Sequence, residues 1–427
     1  MKPLIPESFN HVLDASGLKS LTIKGKTILP IVQGGMGVGV SAHRLAGAVA
    51  KIGGMGTISS IDLRRLHPDL MDLTQHLPPS VESKKAINQA NLEALKREIK
   101  MAQEGSSSFG LIAVNVMRAV NEYEAYVACA LENGADAIVV GAGLPLDLPD
   151  LATGYPATAL IPILSEARGV QILVKKWEKK GRLPDAIVIE NPKLAGGHLG
   201  ASSVADINNP KFNFENVIPQ VIDFFKTMGI EGQIPLIAAG GISNLQDIQK
   251  LQSMGVSGVQ LGTAFAVTIE GDADEVFKKV LARSRPEELV EFLSVAGLPA
   301  RAVMTPWLKN YMKAEAKLKN KARKKPRCTM VFDCLHDCGL RDGNAAWGQF
   351  CIDKVLGSAF TGDTQKGLFF RNRASIFFCK VGNSTAAKPL ATLLKIASAS
   401  SSPGLRYFSF KTSMLICCIT IYLRHCF

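Results

Sequence analysis

Short apolar segments alternate with longer segments of helical spacing along the first part of the chain. Eight of the apolar segments have the length and composition of β-strands, and they lie at residues 28–32, 55–58, 111–116, 137–140, 159–164, 186–190, 235–239 and 258–261. Most are followed by a segment whose apolar residues repeat at helical spacing, as at residues 41–52, 122–132, 165–180, 214–228 and 244–254. Strands that are apolar throughout and are followed by helices are typical of a parallel sheet with helices on its outer face. Eight such units over roughly 240 residues predict a (β/α)8 TIM barrel rather than an open doubly wound sheet.

The regular alternation breaks at two places. The second unit is irregular, because residues 62–83 precede a basic amphipathic helix around residues 90–103, and this predicts an insertion at about residues 62–104. The alternation ends near residue 303. We therefore expect an α/β barrel at 1–303, a basic helical extension that contains cysteines at 304–371, and an irregular, poorly ordered tail at 372–427.

Composition adds a protein class and an expected compartment. The chain has 427 residues, 47% hydrophobic and 20% charged, which is the composition of a globular protein with a large core. Its nine cysteines are almost absent from the first 300 residues, which is not the distribution of a disulfide-built secreted protein. The first residues lack the apolar core of a signal peptide, and the apolar run at 414–423 is about half the length of a membrane span. We expect a cytoplasmic protein without a membrane partner.

The positive charge is concentrated in one segment. The formal net charge is +12, and residues 313–327 alone contain eight Lys or Arg and one Glu. This segment has no interleaved aromatic residues and no base-reading motif, so it favours a solvated basic helix or linker over a nucleic-acid site. We expect no nucleic-acid partner.

Candidate binding residues cluster at the predicted strand ends, where the active site of a TIM barrel lies. They are Gln33, Gly34, Gly35, Met36 and Gly37 after the first strand, Asn115 on the third, Gly240 and Gly241 after the seventh, and Gly262 and Thr263 after the eighth. The loops after strands seven and eight often bind phosphate through backbone N–H groups. Neither loop has a P-loop lysine or a three-glycine dinucleotide fingerprint, so the pattern favours a mononucleotide phosphate. Glycines also end strands in any βα protein, so each motif alone has a simpler structural explanation.

The segment Ala195-Gly196-Gly197-His198 follows the sixth apolar strand. Glycines let a ligand approach the backbone closely, and histidine is the side chain whose charge changes near neutral pH. This combination predicts a catalytic loop. The alternative is a turn whose histidine packs or forms a hydrogen bond locally.

Taken together, these segments resemble the flavin-dependent nitronate monooxygenases, formerly called 2-nitropropane dioxygenases. Residues 30–37 resemble the first flavin loop of that family, residues 195–198 its catalytic-histidine loop, and residues 239–242 with 261–265 its FMN-phosphate loops. The segment 297–302 also matches, and the four motifs occur in the family's order and spacing between about residues 28 and 303.

The resemblance implies a reaction and a set of site residues. The reaction is FMN-dependent oxidation of an alkyl nitronate or nitroalkane by O2 to a carbonyl compound and nitrite. His198 would act as the base when neutral, or would hold the anionic nitro oxygens when protonated. The expected cofactor residues are the strand-end residues named above together with Gly197. Asn115 has an alternative role as a strand-end cap, and a homo-oligomer is left open.

A sister group, the NAD(P)H-dependent flavin enoyl-acyl carrier protein reductases, carries nearly the same motifs and is the alternative function. Both groups usually have Gly-x-Glu-Ala before the Gly-Gly-His segment. This chain instead has Asn191-Pro192-Lys193-Leu194 before Ala195. The change alters the wall beside the expected flavin and leaves His198 in place.

The extension contains cysteines whose role the spacing leaves open. Cys328, Cys334, Cys338 and Cys351 are spaced C-x5-C-x3-C-x12-C, without the close CxxC pair that is usual for structural zinc. Packed thiols, a metal or iron–sulfur site and disulfides are the three alternatives, and we assign no metal.

Overall fold

The computed structural model describes residues 7–106, 109–323 and 331–373. Its strands are β1 (Leu21–Ile23), β2 (Lys26–Ile28), β3 (Ile31–Gln33), β4 (Met55–Ser59), β5 (Leu111–Met117), β6 (Ala137–Gly141), β7 (Ala159–Leu164), β8 (Ile187–Glu190), β9 (Gly197–His198), β10 (Leu236–Ala239), β11 (Gly258–Leu261), β12 (Leu289–Leu293) and β13 (Pro299–Val303). Strands β3 to β8, β10 and β11 form a closed barrel in which β11 pairs with β3. All pairs within it are parallel. The predicted TIM barrel is confirmed.

The barrel strands are apolar on both faces because both faces are buried. In β5, Leu111 and Ala113 belong to the cluster inside the barrel, whereas Ile112 and Val114 belong to the cluster between barrel and helices. Successive side chains of a strand point to opposite faces, so this arrangement requires a continuous apolar run. It explains why the sequence shows runs without alternation.

The first predicted strand is wrong in its bounds. The segment 28–32 is split: Ile28 ends the antiparallel β1–β2 hairpin, and the first barrel strand begins at Ile31. Pro30 lies between them and has no N–H to donate to a continuous ladder. Leu21, Ile23 and Ile28 of the hairpin pack in the cluster inside the barrel.

The helices of the described residues are α1 (Glu7–Ser16), α2 (His43–Lys51), α3 (Pro68–Thr74), α4 (Val81–Ser106), α5 (Tyr123–Glu132), α6 (Leu148–Leu151), α7 (Ala167–Glu178), α8 (Phe214–Met228), α9 (Leu245–Ser253), α10 (Thr263–Ala266), α11 (Glu275–Arg283), α12 (Pro306–Asn320), α13 (Gly339–Asp342), α14 (Ile352–Leu356) and α15 (Ser358–Thr361). Short 3-10 turns lie at Leu63–Leu66, Val204–Asp206, Pro210–Phe212 and Pro286–Glu288. Helix α4 packs closely on α2, since a Cβ on Gly47 would lie 3.1 Å from the carbonyl oxygen of Ala102. It is therefore the barrel helix of the second unit, and the extra structure there is the 3-10 turn with α3.

The extension continues the core of the barrel. Leu335, Phe350, Ile352 and Leu368 belong to the same buried cluster as the helices around the barrel. Within α12, the rings of Trp307 and Tyr311 stack with centroids 5.5 Å apart, and both rings also contact Phe350 of the extension. The lysines Lys309, Lys313 and Lys317 of α12 are exposed.

The last described segment, residues 367–373, is here called the C-terminal strap. The backbone N–H of Val303 donates to Phe369 O at 3.0 Å, and the N–H of Arg373 donates to Leu194 O at 3.1 Å. The strap thus lies against β13 and against the segment that precedes the Gly-Gly-His loop. Cys328, most of the predicted tail and the last part of the basic run lie outside the described residues. Among the described helices, none combines the length and the apolar character that crossing a membrane requires.

Candidate active site

A cavity of about 660 Å³ lies at the carboxyl ends of the barrel strands. It brings together most of the predicted site residues, namely Gly34, Gly35, Met36, Gly37, Asn115, Gly197, His198, Gly240, Gly241, Gly262 and Thr263. Gln33 does not line it. The carboxamide of Gln33 is buried and bonded to the next strand, accepting from Thr57 N–H at 2.9 Å and donating to Thr57 O at 3.0 Å. Its role in this structure is to hold β3 against β4.

The loop after β3 lies close to Asn115. A Cβ on Gly35 would lie 2.4 Å from the Cβ of Asn115, so only glycine fits there. The backbone N–H of Met36 is already bonded to Ser41 Oγ at 2.8 Å, and the N–H of Gly34 to Leu261 O at 2.9 Å. These two N–H groups are therefore used to shape the loop.

The two expected phosphate loops lie side by side, since β10 pairs with β11. Gly240 and Gly241 have φ angles of +105° and +73°, in the region that favours glycine. A Cβ on Gly241 would lie 2.6 Å from Leu194 Cβ. The turn in which this chain departs from the usual Gly-x-Glu-Ala pattern is thus packed directly on the first phosphate loop. Thr263 Oγ1, in the second loop, accepts from the backbone N–H of Asn372 at 3.2 Å.

His198 lies on β9, which pairs with β13. Its Nε2 lies 3.1 Å from Ser294 Oγ, and that oxygen accepts from Ala296 N–H at 3.2 Å. The imidazole also packs edge-on against Phe370, with ring centroids 5.4 Å apart. Burial lowers the pKa of His198 to about 4, so the ring is neutral at pH 7. The histidine thus has a local hydrogen bond and also lines the cavity.

Arg301 holds the Gly-Gly-His loop in place. It is fully buried, donates through Nη1 to Ala195 O, and pairs through Nη2 with Glu291 Oε1 at 2.6 Å. A buried guanidinium with both a carboxylate and a carbonyl partner is a rigid support for the backbone. The segment 297–302, matched in the sequence without a role, therefore supplies the anchor for the histidine loop.

Several cavity residues were not predicted as site residues. They include Glu190, Ser165, Gln260, Phe370, Arg371 and Asn372. Burial raises the pKa of Glu190 to about 7, although the Gly200 N–H and the positive charge of Arg301 oppose the shift. The positions of Glu190 and Gln260 at strand ends were a usable signal. Nothing in the sequence near Phe370 indicates that it meets His198.

Of the described cysteines in the predicted cluster, Cys338 is buried in the core around the barrel, and Cys334 and Cys351 pack against that core. Within residues 7–106, 109–323 and 331–373, no group of three or more His, Cys, Asp or Glu side chains is arranged to hold a metal ion. Cys328, the remaining member of the predicted cluster, lies outside those ranges.

The fold is a TIM barrel, and its candidate site is a cavity lined by strand-end loops. Residues 19–372 match the family model for nitronate monooxygenase, and the chain therefore belongs to that family. A probable nitronate monooxygenase of Staphylococcus saprophyticus is 25% identical over 330 residues, which cover 74% of this chain and 86% of the relative. A probable nitronate monooxygenase of Staphylococcus aureus is 25% identical over 290 residues, covering 64% of this chain and 75% of the relative.

Two solved structures share the fold. FabK from Thermotoga maritima superposes with a TM-score of 0.55 and 19% identity, covering 90% of this chain and 93% of FabK. Nitroalkane oxidase from Streptomyces ansochromogenes gives a TM-score of 0.55 and 19% identity, covering 85% of this chain and 92% of the oxidase. At these identities the likeness concerns the fold.

Proposed function

We propose that this protein binds FMN and uses O2 to oxidise alkyl nitronates, and nitroalkanes after proton removal, to a carbonyl compound and nitrite. The observation that carries the proposal is that one cavity is lined both by the Gly-Gly-His loop and by the two strand-end loops suited to a monophosphate. Membership of the nitronate monooxygenase family supports the substrate class.

The residues at the cavity fit a bound flavin mononucleotide. The loops of Gly240–Gly241 and Gly262–Thr263 bring backbone close to the cavity without side chains, and Thr263 adds a hydroxyl. Gly34, Gly35 and Gly37 give a second surface without side chains beside Asn115, where a planar ring system can lie against the backbone. When bound, FMN supplies the electron transfer from the substrate to oxygen, and the protein supplies position and proton transfer.

His198 is the proposed base for neutral nitroalkanes. Burial keeps its ring unprotonated. Of the two ring nitrogens, only Nε2 has a hydrogen-bond partner among the described residues. If Nε2 carries the proton and donates to Ser294 Oγ, then Nδ1 holds the lone pair that takes the α-proton of the substrate. The alternative role, in which a protonated His198 holds the nitro group, requires an anionic substrate to raise the pKa of the buried ring.

The proposal is tested by the absorbance spectrum of the purified protein, followed by anaerobic mixing with ethyl nitronate, NADH or NADPH. We expect a flavin spectrum that is bleached by the nitronate and by neither pyridine nucleotide. Rapid bleaching by NADH or NADPH but not by the nitronate would instead assign the enoyl reductase function. A purified protein that neither contains nor takes up FMN would overturn the cofactor assignment itself.

A further inference from the structure

Arg371 in the C-terminal strap is a buried cation without a carboxylate partner. The buried arginines of the described residues are Arg64, Arg301 and Arg371. Arg64 pairs with Asp62 at 2.9 Å and Arg301 pairs with Glu291 at 2.6 Å, whereas Arg371 forms no ion pair with any described carboxylate. Buried charges in proteins are usually paired, so this exception needs an explanation.

The contacts of Arg371 are with neutral carbonyl groups. Its Nε donates to Leu281 O at 3.0 Å, near the end of α11, and its Nη1 donates to Asn372 O at 3.3 Å. Burial lowers the pKa of Arg371, and the negative charge of Glu288 offsets this only in part. The simplest structural explanation is that Arg371 caps the carboxyl end of α11. That explanation accounts for the Leu281 contact and leaves the positive charge without a counter-charge.

The strap carries this charge to the side of the cavity where the phosphate loops lie. Arg371 and Asn372 both line the cavity, and Asn372 N–H donates to Thr263 Oγ1 at 3.2 Å. The side-chain oxygen of Asn372 is buried and has no hydrogen-bond partner among the described residues. A carboxamide rotated by 180° presents its N–H2 donors in place of its oxygen. Arg371 and Asn372 therefore line the same cavity as Gly262 and Thr263, and the backbone of Asn372 contacts the Thr263 hydroxyl.

We propose that Arg371 and Asn372 complete an anion site with the Gly262–Thr263 loop, and that this site takes the phosphate monoester of the flavin. The inference rests on the proposed function. Guanidinium groups bind phosphate oxygens through charge-assisted hydrogen bonds, which are the stronger class of hydrogen bond in proteins. The strand-end glycines supply shape and backbone donors, and the strap supplies the positive charge that these loops lack.

The test compares FMN with riboflavin, which has the same ring and ribityl chain and lacks the phosphate. Dissociation constants are measured by fluorescence titration of the flavin-free protein for wild type and Arg371→Met. We expect the variant to bind FMN about 10- to 100-fold more weakly and to bind riboflavin as wild type does. An equal loss for both flavins would overturn the proposal and leave Arg371 as a cap of α11.

Two further variants keep the test decisive if Arg371→Met does not fold. Asn372→Asp places a negative charge beside the phosphate without removing a hydrogen bond of the side-chain oxygen, so it too is expected to weaken FMN binding selectively. The matched control is Arg373→Met, two positions from Arg371 in the chain. It removes an exposed guanidinium that pairs with Glu291, and it is expected to leave the ratio of the FMN and riboflavin dissociation constants unchanged. Wild type that binds no flavin would defeat the proposed function. Wild type that prefers FMN, with the same preference in Arg371→Met and Asn372→Asp, would defeat this inference alone.

Discussion

At the scale of single residues, the proposed chemistry depends on the surroundings of His198. A ring whose pKa lies at about 4 is a weak base toward water and stays neutral throughout the physiological range. Ser294 Oγ lies 3.1 Å from Nε2 of the ring, and Arg301 holds the loop that carries the ring. The histidine is thus supported by β12, β13 and the turn between them.

Replacement of His198 by asparagine is expected to separate proton removal from oxidation. A general base contributes about 10²- to 10⁴-fold, so turnover of neutral nitroalkanes should fall by about that factor. With preformed nitronates the loss should be smaller, because their α-proton is already absent. The measurement is steady-state oxygen consumption with each substrate form, together with bound flavin. The matched control is His11→Asn, since His11 is an exposed residue of α1. Equal activity of His198→Asn and wild type on both forms would return His198 to a packing role.

The sequence predicts the position of a residue that lies at a strand end, but it does not predict contacts between residues far apart in the chain. Eleven of the twelve predicted site residues line one cavity, because strand ends of a parallel barrel converge. Gln33 is the exception, since its side chain points to Thr57. Ser294 lies 96 positions from the histidine that it contacts, and no local pattern reveals such a pair.

At the scale of secondary-structure elements, the buried carboxylate of Glu98 connects helix α4 with the start of α2 and with the residue before α3. His43, at the start of α2, donates from its ring to Oε2 of Glu98 at 2.8 Å. His67 precedes α3, and its Nε2 lies 3.0 Å from Oε1 of Glu98. Burial alone would raise the pKa of Glu98, but the hydrogen bond from His43 and the close approach of the His67 ring lower it to about 2. The Glu98 hydrogen bond in turn raises the pKa of His43.

Glu98→Gln should therefore destabilise the protein in a pH-dependent way. The ionised Glu98 contributes stability above its ordinary pKa of 4.5, and this is lost as the pH falls toward 2. Protonated His43 contributes below its ordinary pKa of 6.5, and this is lost as the pH rises through its raised value. The loss of unfolding free energy relative to wild type should be largest between pH 4.5 and pH 6.5, where both groups contribute. There it should reach about 2–4 kcal/mol, as for other buried pairs that lose one partner.

Urea unfolding from pH 3 to pH 9 would measure this profile. Glu93→Gln is the control on the same helix, because Glu93 pairs with Arg97 at the surface, where such pairs contribute little. A difference between Glu98→Gln and wild type that does not vary with pH would refute the assigned titration.

The barrel elements were predictable because a strand buried on both faces must be apolar throughout, as in β5. The break at Pro30 also had a signal in the sequence, because proline has no N–H to donate to a continuous ladder. The packing of α4 had none, since it depends on contacts with α2. The sequence places α4 within the insertion expected at about residues 62–104, and the close contact of α4 with α2 is seen only in the structure.

At the scale of the whole molecule, the described part of the extension is continuous with the barrel. Arg65, in the 3-10 turn after β4, pairs with Asp62 and with Asp353 of α14, the second at 2.6 Å. Both carboxylates are buried. Burial beside Asp62 raises the pKa of Asp353 to about 7, against the opposing effect of Arg65. Ionising Asp353 therefore costs folding free energy at the junction between barrel and extension.

Asp353→Asn should consequently change the pH dependence of stability, because folding raises the pKa of Asp353 whereas it lowers the pKa of Glu98. A carboxyl group whose pKa is raised on folding makes wild type lose stability as the pH rises from its ordinary value of 3.8 to about 7. The variant lacks that loss, so its melting temperature relative to wild type should increase between pH 5 and pH 8. Differential scanning fluorimetry at the two pH values measures the effect. Asp363→Asn, at a carboxylate whose pKa is lowered, should not show this increase. Parallel melting curves for Asp353→Asn and wild type would contradict the prediction.

The strap also has a consequence for how the protein is made. Thr263 and Asn372 are 109 positions apart, and they meet at the edge of the cavity. At about 5–20 residues per second, a ribosome needs about 5–20 seconds to add the segment between them. During that interval the eight barrel strands are already synthesised while the cavity lacks Phe370, Arg371 and Asn372. Cofactor loading into a complete cavity must therefore wait until nearly all of the described chain has been translated.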